Sequence, residues 1–282
     1  MVGHERMLVR GGAAMGQEPY VGLATTFDTA AELYQRARPG YPRQLFADLA
    51  ASAGLGTAGA RVLEVGTGTG QATRGLLDRG WSVVTLEPGR ELAAVARRVL
   101  AGHGDVDVVV SPFERWEAGD QRPFDLVFAA TSWHWLDPQV AYRRAAELLR
   151  PGGHLAIVAT EHVSPPGGDD FFRQVQQVYD EVGMGDGQGG PKPPEAIAAP
   201  DVKAIGGSGF FAQPIVHRYV WSQDYTAEEY LALLSTYSGH IAASPWQRKT
   251  LFTGIQDMIA ARPSATVRKH YLNTLQIAQR ID

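Results

Sequence analysis

The sequence predicts a doubly wound α/β protein on a mostly parallel sheet. Short apolar, β-branched runs alternate with amphipathic stretches from about residue 43 to residue 160. The stretches between them have helical length, and most runs close on glycine or proline. Strands separated by helices of that length pair in parallel through right-handed crossovers.

The elements follow in order. RQLFADLAASAG places Leu45, Phe46, Leu49 and Ala50 at helical spacing. ARVLEVG (60–66) is a buried strand ending in glycine, and QATRGLLDRG is a helix closed by Gly80. WSVVTLEP is a second strand, GRELAAVARRVLAGHG a second helix, DVDVVV a third strand and FDLVFAA a fourth. PQVAYRRAAELLRPGG opens with Pro138 near its N-terminus and stops at Pro151-Gly152-Gly153, before a fifth strand, HLAIVAT. FFRQVQQVYDEVG reads as one helix, and MGDGQGGPKPPEAIAAP (184–200) as a mobile surface loop or lid. IVHRYVWSQ is a sixth strand. TAEEYLALLSTYSGH opens on a capping box, Thr226 with Glu229, and a helix runs from Pro245 to about Ala261. ATVRKHYLNTLQIAQ is a last, alternating strand expected to be antiparallel, making seven in all. The expected organisation is a disordered leader (1–19, of which 1–14 look like an over-extended start), a lid segment (20–42), the core (43–160), and cap helices with final strands (161–282).

A net charge of −4 and a pI near 6.1, with no run of Lys and Arg, give no surface for a polyanion, so nucleic acid is not an expected partner. The chain has no cysteine. That removes disulfides, thiolate metal sites and a cysteine nucleophile together, and fits a cytoplasmic location. No apolar run approaches the roughly 18 residues of a membrane span, and the N-terminal stretch has no apolar h-region. No membrane partner and no metal are expected; a monomer or homodimer is.

LEVGTGTGQAT carries the sharpest chemical signal. Gly66, Gly68 and Gly70 follow a strand and precede a helix, where glycine lets backbone approach a ligand and the helix start offers free N–H groups. The dinucleotide fingerprint G-x-G-x-x-G fails from Gly66 and from Gly68, because its last position falls on Gln71 or Thr73. The pattern is E-x-G-x-G-x-G instead. Glu64 beside the loop suits a ligand with a positive end, such as an amino group. Glu87 ends the second strand, where a carboxylate accepts from both hydroxyls of a ribose.

These blocks, with LYQRARPGYP (33–42), FDLVFAATSWHWLD (124–137) and LLRPGGHLAIV (148–158), resemble in their order a class I S-adenosylmethionine-dependent methyltransferase, of the small-molecule type similar to trans-aconitate methyltransferases. The likeness covers about the first 160 residues. It implies a Rossmann-like seven-stranded sheet with a helical cap, S-adenosylmethionine as cofactor and S-adenosylhomocysteine as product. It implies that Gly66, Thr67, Gly68 and Gly70 hold the methionine moiety with Glu64 near its ammonium, that Glu87 holds the ribose, and that Phe113 and Glu114 flank the adenine. Many relatives carry an acid where Pro112 stands, to bind the exocyclic amine; this chain departs from that pattern.

Tyr34 and Arg38 share a helix face. In similar enzymes this segment closes over the cofactor, so the pair is expected to bind the cofactor carboxylate or an acidic substrate, or else to lie on a solvated surface helix. The stretch SWHWLDP (132–138) leaves the fourth strand at its carboxyl end, where ligands bind in open α/β sheets. Thr131 is expected at the cofactor, and Tyr20, Trp133 and His134 at the substrate. His134 is either a general base or a ring ordering the loop, with Asp137 an orienting partner or an N-cap. Tyr20, Phe27, Phe171, Phe172, Tyr230, Tyr237 and Trp246 lie in segments that can cap the site. The predicted activity is methyl transfer to a small-molecule acceptor, with O-methylation favoured. The alternatives are a cofactor-binding protein without transferase activity and, disfavoured by the glycine spacing, an NAD-dependent oxidoreductase.

Overall fold

The computed structural model describes residues 31–57, 59–119, 122–187 and 189–281. The leader and residues 20–30 of the lid segment, Tyr20 and Phe27 among them, lie outside the described residues. The sheet has seven strands in the order β3-β2-β1-β4-β5-β7-β6. They are β1 (Arg61–Val65), β2 (Ser82–Leu86), β3 (Val106–Val109), β4 (Phe124–Ala130), β5 (Leu149–Val163), β6 (Ile215–Thr226) and β7 (Thr266–Gln279). The first five pair in parallel; β7 runs antiparallel between β5 and β6. Sheet order reverses at β1, so its neighbours β2 and β4 frame the switch point where such sheets bind ligands.

Before β1 come α1 (Ala31–Ala37) and α2 (Arg43–Ser52); between strands lie α3 (Gln71–Leu77), α4 (Arg90–Leu100) and α5 (Pro138–Leu148). Successive strand residues point to opposite faces, and both faces are covered. Val62, Leu126, Ala156 and Leu275 meet Leu45 and Phe46 of α2, Leu76 of α3 and Leu100 of α4. Leu63, Val127 and Leu155 meet Tyr142 and Ala145 of α5. The cap adds α6 (Phe171–Gln174), α7 (Gln176–Glu181), α8 (Val202–Gly207), α9 (Ala227–Leu234), α10 (Ser238–Ile241) and α11 (Pro245–Ala260). Its own core joins Phe171, Tyr179, Tyr230, Leu251 and Ile255 to Tyr225 and Tyr271 on the upper ends of β6 and β7.

Several boundaries differ from the sequence reading. The helix before β5 ends at Leu148 rather than at Pro151, because Leu149 already pairs with Phe124 ahead of a bulge. The stretch 171–183 breaks into two short helices at Val175. The glycine- and proline-rich 184–200 segment, expected as a mobile lid, is fastened over its second half. Arg218 donates to the Pro194 and Ile197 carbonyls at 2.6 and 2.9 Å, and Ser164 N–H donates to the Lys192 carbonyl at 2.9 Å. The last strand is buried almost continuously from Tyr271 to Ala278 rather than alternating, since it lies inside the sheet and not at its edge.

Candidate active site

The glycine loop after β1 is built by contact with β4. Gly66 has φ +75°, and a Cβ there would lie 2.5 Å from the Ser132 Cβ. Its N–H donates to the Leu86 carbonyl at 2.8 Å, and the Ser132 hydroxyl donates to the Val65 carbonyl. The exits of β1, β2 and β4 are thereby tied together. Gly68 has φ +57°, and the ring of Tyr34 stands 3.8 Å from where its side chain would begin. Its N–H donates to Glu87 Oε2 at 2.9 Å, while Gly89 N–H donates to Oε1 at 2.9 Å. Glu87, buried at the end of β2, is thus held at the rim of the loop. Val65, Gly66, Leu86, Pro88, Phe113 and Ser132 line a cleft beside it.

Glu64 is placed beneath the loop instead of at its lip. It is buried, the Thr73 hydroxyl donates to it at 2.6 Å, and the Thr67 hydroxyl lies 2.7 Å from that of Thr73. Burial pushes its carboxyl up from the ordinary carboxylate range, against the opposing pull of the Thr73, Thr85 and Thr67 hydroxyls. The expected contact with an ammonium group is therefore replaced by support of the loop through threonine hydroxyls.

The β4 exit contains an unusual backbone. Thr131 has φ +59°, a region β-branched residues avoid. Its N–H donates to the Val158 carbonyl at 2.8 Å, and its hydroxyl lies 3.1 Å from both Tyr41 Oη and Thr160 Oγ1. A 3₁₀ turn, Trp133–Trp135, follows. Trp133 is buried, with ring centroids 6.1 Å from Phe113 and 5.4 Å from Tyr142. It is a core anchor, which removes it from the expected substrate contacts. His134 is half-buried with its ring 4.8 Å from that of Trp135. Asp137 caps α5, accepting from Gln139 N–H at 2.9 Å, and that settles the choice left open between cap and orienting partner.

Phe113 lines the cleft, and its carbonyl accepts from Arg144 Nε at 2.8 Å; Glu114 beside it is half-buried. Arg38 points to the cap. Its Nε and Nη2 donate to the Thr236 hydroxyl and carbonyl at 2.9 and 3.0 Å, and its guanidinium lies between the rings of Tyr34 and Tyr237, 4.9 and 4.5 Å from their centroids. Phe171, Phe172 and Tyr230 are buried in the cap core, and Trp246 is exposed. The Tyr41 hydroxyl is brought to Thr131 by a chain reversal that no local periodicity marks.

A carboxylate at the rim, apolar walls along the cleft and an open glycine loop form a set that fits a nucleoside joined to an amino-acid tail. Residues 63–157 match the methyltransferase domain family. An uncharacterised methyltransferase of Mycobacterium tuberculosis is 27% identical over 242 residues, covering 86% of this chain and 88% of that one. A ubiquinone biosynthesis O-methyltransferase of Xanthomonas oryzae pv. oryzae is 38% identical over 108 residues, 38% of this chain and 45% of that one. Among solved structures, a Haemonchus contortus phosphoethanolamine N-methyltransferase, in complex with S-adenosylhomocysteine, aligns with TM-score 0.51 at 18% identity over 95% of this chain and 61% of that one.

The fold is thus the Rossmann-like fold of methyltransferases. The domain match over residues 63–157 and the relatives support a class I S-adenosylmethionine-dependent methyltransferase. The cofactor that such a methyltransferase domain takes is S-adenosylmethionine. The finer likeness to trans-aconitate methyltransferases stands on the sequence blocks alone. No helix among the described residues is long and apolar enough to cross a membrane.

Proposed function

We propose that the protein transfers the methyl group to an oxygen of a small-molecule acceptor by in-line displacement. The observation that carries this reading is the clamp of Ser132 on Gly66, which sets the His134 turn against the cofactor loop. The likeness to an O-methyltransferase of ubiquinone biosynthesis supports oxygen as the acceptor atom.

The cofactor supplies an activated methyl group on a sulfonium with its own leaving group. What remains for the chain is to bind, align and exclude water, and alignment alone is worth roughly 7–11 kcal/mol of a barrier. The loop at Gly66, Thr67, Gly68 and Gly70 holds the amino-acid end, and Glu87 accepts from the ribose hydroxyls. Phe113 and Glu114 flank the base from the 3₁₀ turn Phe113–Arg115. Tyr34, standing over Gly68, closes the methionine end from α1. His134 takes the proton of an acceptor hydroxyl as the new bond forms, a role an imidazole with an ordinary value near 6.5 suits.

Acceptors carrying hydroxyl or carboxyl groups are screened for S-adenosylhomocysteine release, in the native protein and in His134→Ala. Loss of a general base lowers turnover about 10²–10⁴-fold, with cofactor affinity retained. Unchanged turnover assigns His134 to loop ordering and an anionic oxygen to the acceptor. Failure to bind S-adenosylmethionine at sub-millimolar concentration, or binding without release from any acceptor, sinks the proposal.

A further inference from the structure

A line of polar side chains, buried at Asn273 and half-buried elsewhere, crosses the sheet from β6 to the turn before α2, beside the exit of β4. Trp221 Nε1 donates to Asn273 Oδ1 at 2.7 Å, and Asn273 Nδ2 donates to Thr160 Oγ1 at 2.7 Å. Thr160 Oγ1 lies 3.1 Å from Thr131 Oγ1, which lies 3.1 Å from Tyr41 Oη. These groups come from β6, β7, β5, the exit of β4 and the turn before α2. Only the fold brings them together.

The chemistry of the far end sets the direction of every proton along the line. An indole N–H can only donate. Trp221 is fixed by stacking on Tyr271, with centroids 4.7 Å apart, so the oxygen of Asn273 must face it and the amide nitrogen must face Thr160. Thr160 receives that bond, and the remaining partner of its hydroxyl is Thr131, which takes its proton. Thr131 hands its own proton to Tyr41 for the same reason. Tyr41 is the end of the line, an oxygen already accepting and a proton with no acceptor among the described residues. Burial holds the Tyr41 hydroxyl well above the usual phenol range, while the bond from Thr131 opposes it, as a donated bond should. The phenol therefore stays protonated.

That proton lies at the amino-acid end of the site. Thr131 precedes Ser132, which abuts Gly66, and Tyr34 and Arg38 are among the groups that act electrostatically on Tyr41. Arg38, the expected partner of a carboxylate, commits two of its nitrogens to Thr236. We propose that Trp221, Asn273, Thr160 and Thr131 form a one-way hydrogen-bond relay that fixes Tyr41 as a donor to the carboxylate of the bound cofactor. Tyr41 is the binding residue and the other four groups position its proton. The relay also explains the backbone of Thr131: bonds on both sides of its hydroxyl hold a β-branched residue at φ +59°.

The inference rests on the methyltransferase reading, and its test separates the two. Calorimetry measures the affinity of S-adenosylhomocysteine and of 5′-methylthioadenosine, which keeps the nucleoside and thioether but lacks the carboxylate. Tyr41→Phe is expected to weaken the first about ten- to a hundredfold, the range for losing one hydrogen bond to a charged group, and the second less than about twofold. Asn273→Asp reverses the relay. An ionised carboxylate only accepts, so Thr160 donates to it, Thr131 to Thr160, and Tyr41 turns its proton inward to Thr131. This variant is expected to lose the same selectivity at alkaline pH and to regain it in acid, where the protonated carboxyl donates again; Tyr41→Phe is not rescued. Thr160→Val interrupts the line without adding charge and serves where the aspartate variant does not fold. A ratio of the two affinities that Tyr41→Phe leaves unchanged overturns the proposal. So does an Asn273→Asp protein that keeps native selectivity throughout the pH series. A native protein that binds neither compound overturns the methyltransferase reading instead.

Discussion

At the scale of single residues, the loop is decided by what cannot be present. Gly66 needs φ +75° and lacks room for a methyl group because Ser132 occupies it. The two requirements are separable. A left-handed conformation costs a non-glycine residue about 1–2 kcal/mol, and the contact with Ser132 adds to it. Gly66→Ala is expected to lower the thermal midpoint and abolish S-adenosylhomocysteine binding. In Gly66→Ala/Ser132→Gly the steric part is recovered and the backbone part is not, so the midpoint should return only partway. Full recovery would show that φ at this position carries no strain, and no recovery would show that the clash is not the cause. The same scale explains what sequence inspection reads correctly and what it does not. The placing of Glu87 beside the glycine loop was legible because strand, loop and helix succeed one another along the chain. The tryptophan-rich turn was ambiguous because burial is a property of neighbours. Trp133 faces Phe113 and Tyr142 from other segments, and nothing in SWHWLDP distinguishes the buried ring from its half-buried neighbours.

At the scale of elements, α2 and α3 meet through a glycine that helix propensity alone would reject. Gly75 sits mid-helix in α3, where alanine is ordinarily better by about 0.5–1 kcal/mol. A Cβ at Gly75 would meet the Phe46 ring at 2.2 Å, and that ring is confined between Tyr41 and Phe128, with centroids 6.5 and 6.4 Å away. Gly75→Ala is therefore expected to destabilise, by about 1–3 kcal/mol as overpacked cores do, in urea unfolding. A gain in stability would mean that Phe46 swings aside freely. Periodicity placed both helices, since Leu45, Phe46, Leu49 and Ala50 follow the helical repeat and all are buried. It does not say that two helices approach so closely, and it misjudged ends wherever a tertiary partner overrides local rules. β5 starts at Leu149, ahead of its Pro-Gly-Gly, because Phe124 is there to pair with it. The Thr226–Glu229 box was legible in full because capping is local; the equivalent box of Ser244 with Gln247 at the start of α11 has the same spacing and was readable by the same rule.

At the scale of the whole molecule, α1 and the residue that follows it touch both the cofactor loop and the cap. Tyr34 covers Gly68, and one turn later Arg38 grips Thr236 and lies between two tyrosine rings. An ion pair of α1, Glu32 with Arg98, is exposed on both sides and contributes little. Arg38 thus holds the lid helix to the cap, while the sheet and its two packed faces do not depend on it. Removing it should loosen one joint without unfolding the rest, because local opening draws on the contacts of that joint alone. Arg38→Ala is expected to raise amide hydrogen exchange in residues 31–38 and near 234–238 and to speed S-adenosylhomocysteine dissociation, with exchange in β1, β4 and β5 unaltered. Arg38→Lys keeps the charge but loses the planar fork that reaches both the hydroxyl and the carbonyl of Thr236. It should behave more like alanine than like the native residue. If exchange rises uniformly through the sheet, Arg38 stabilises the fold as a whole and α1 is no separate lid. If the lysine variant matches the native protein, charge near the tyrosine rings, and not the forked bond, makes the joint.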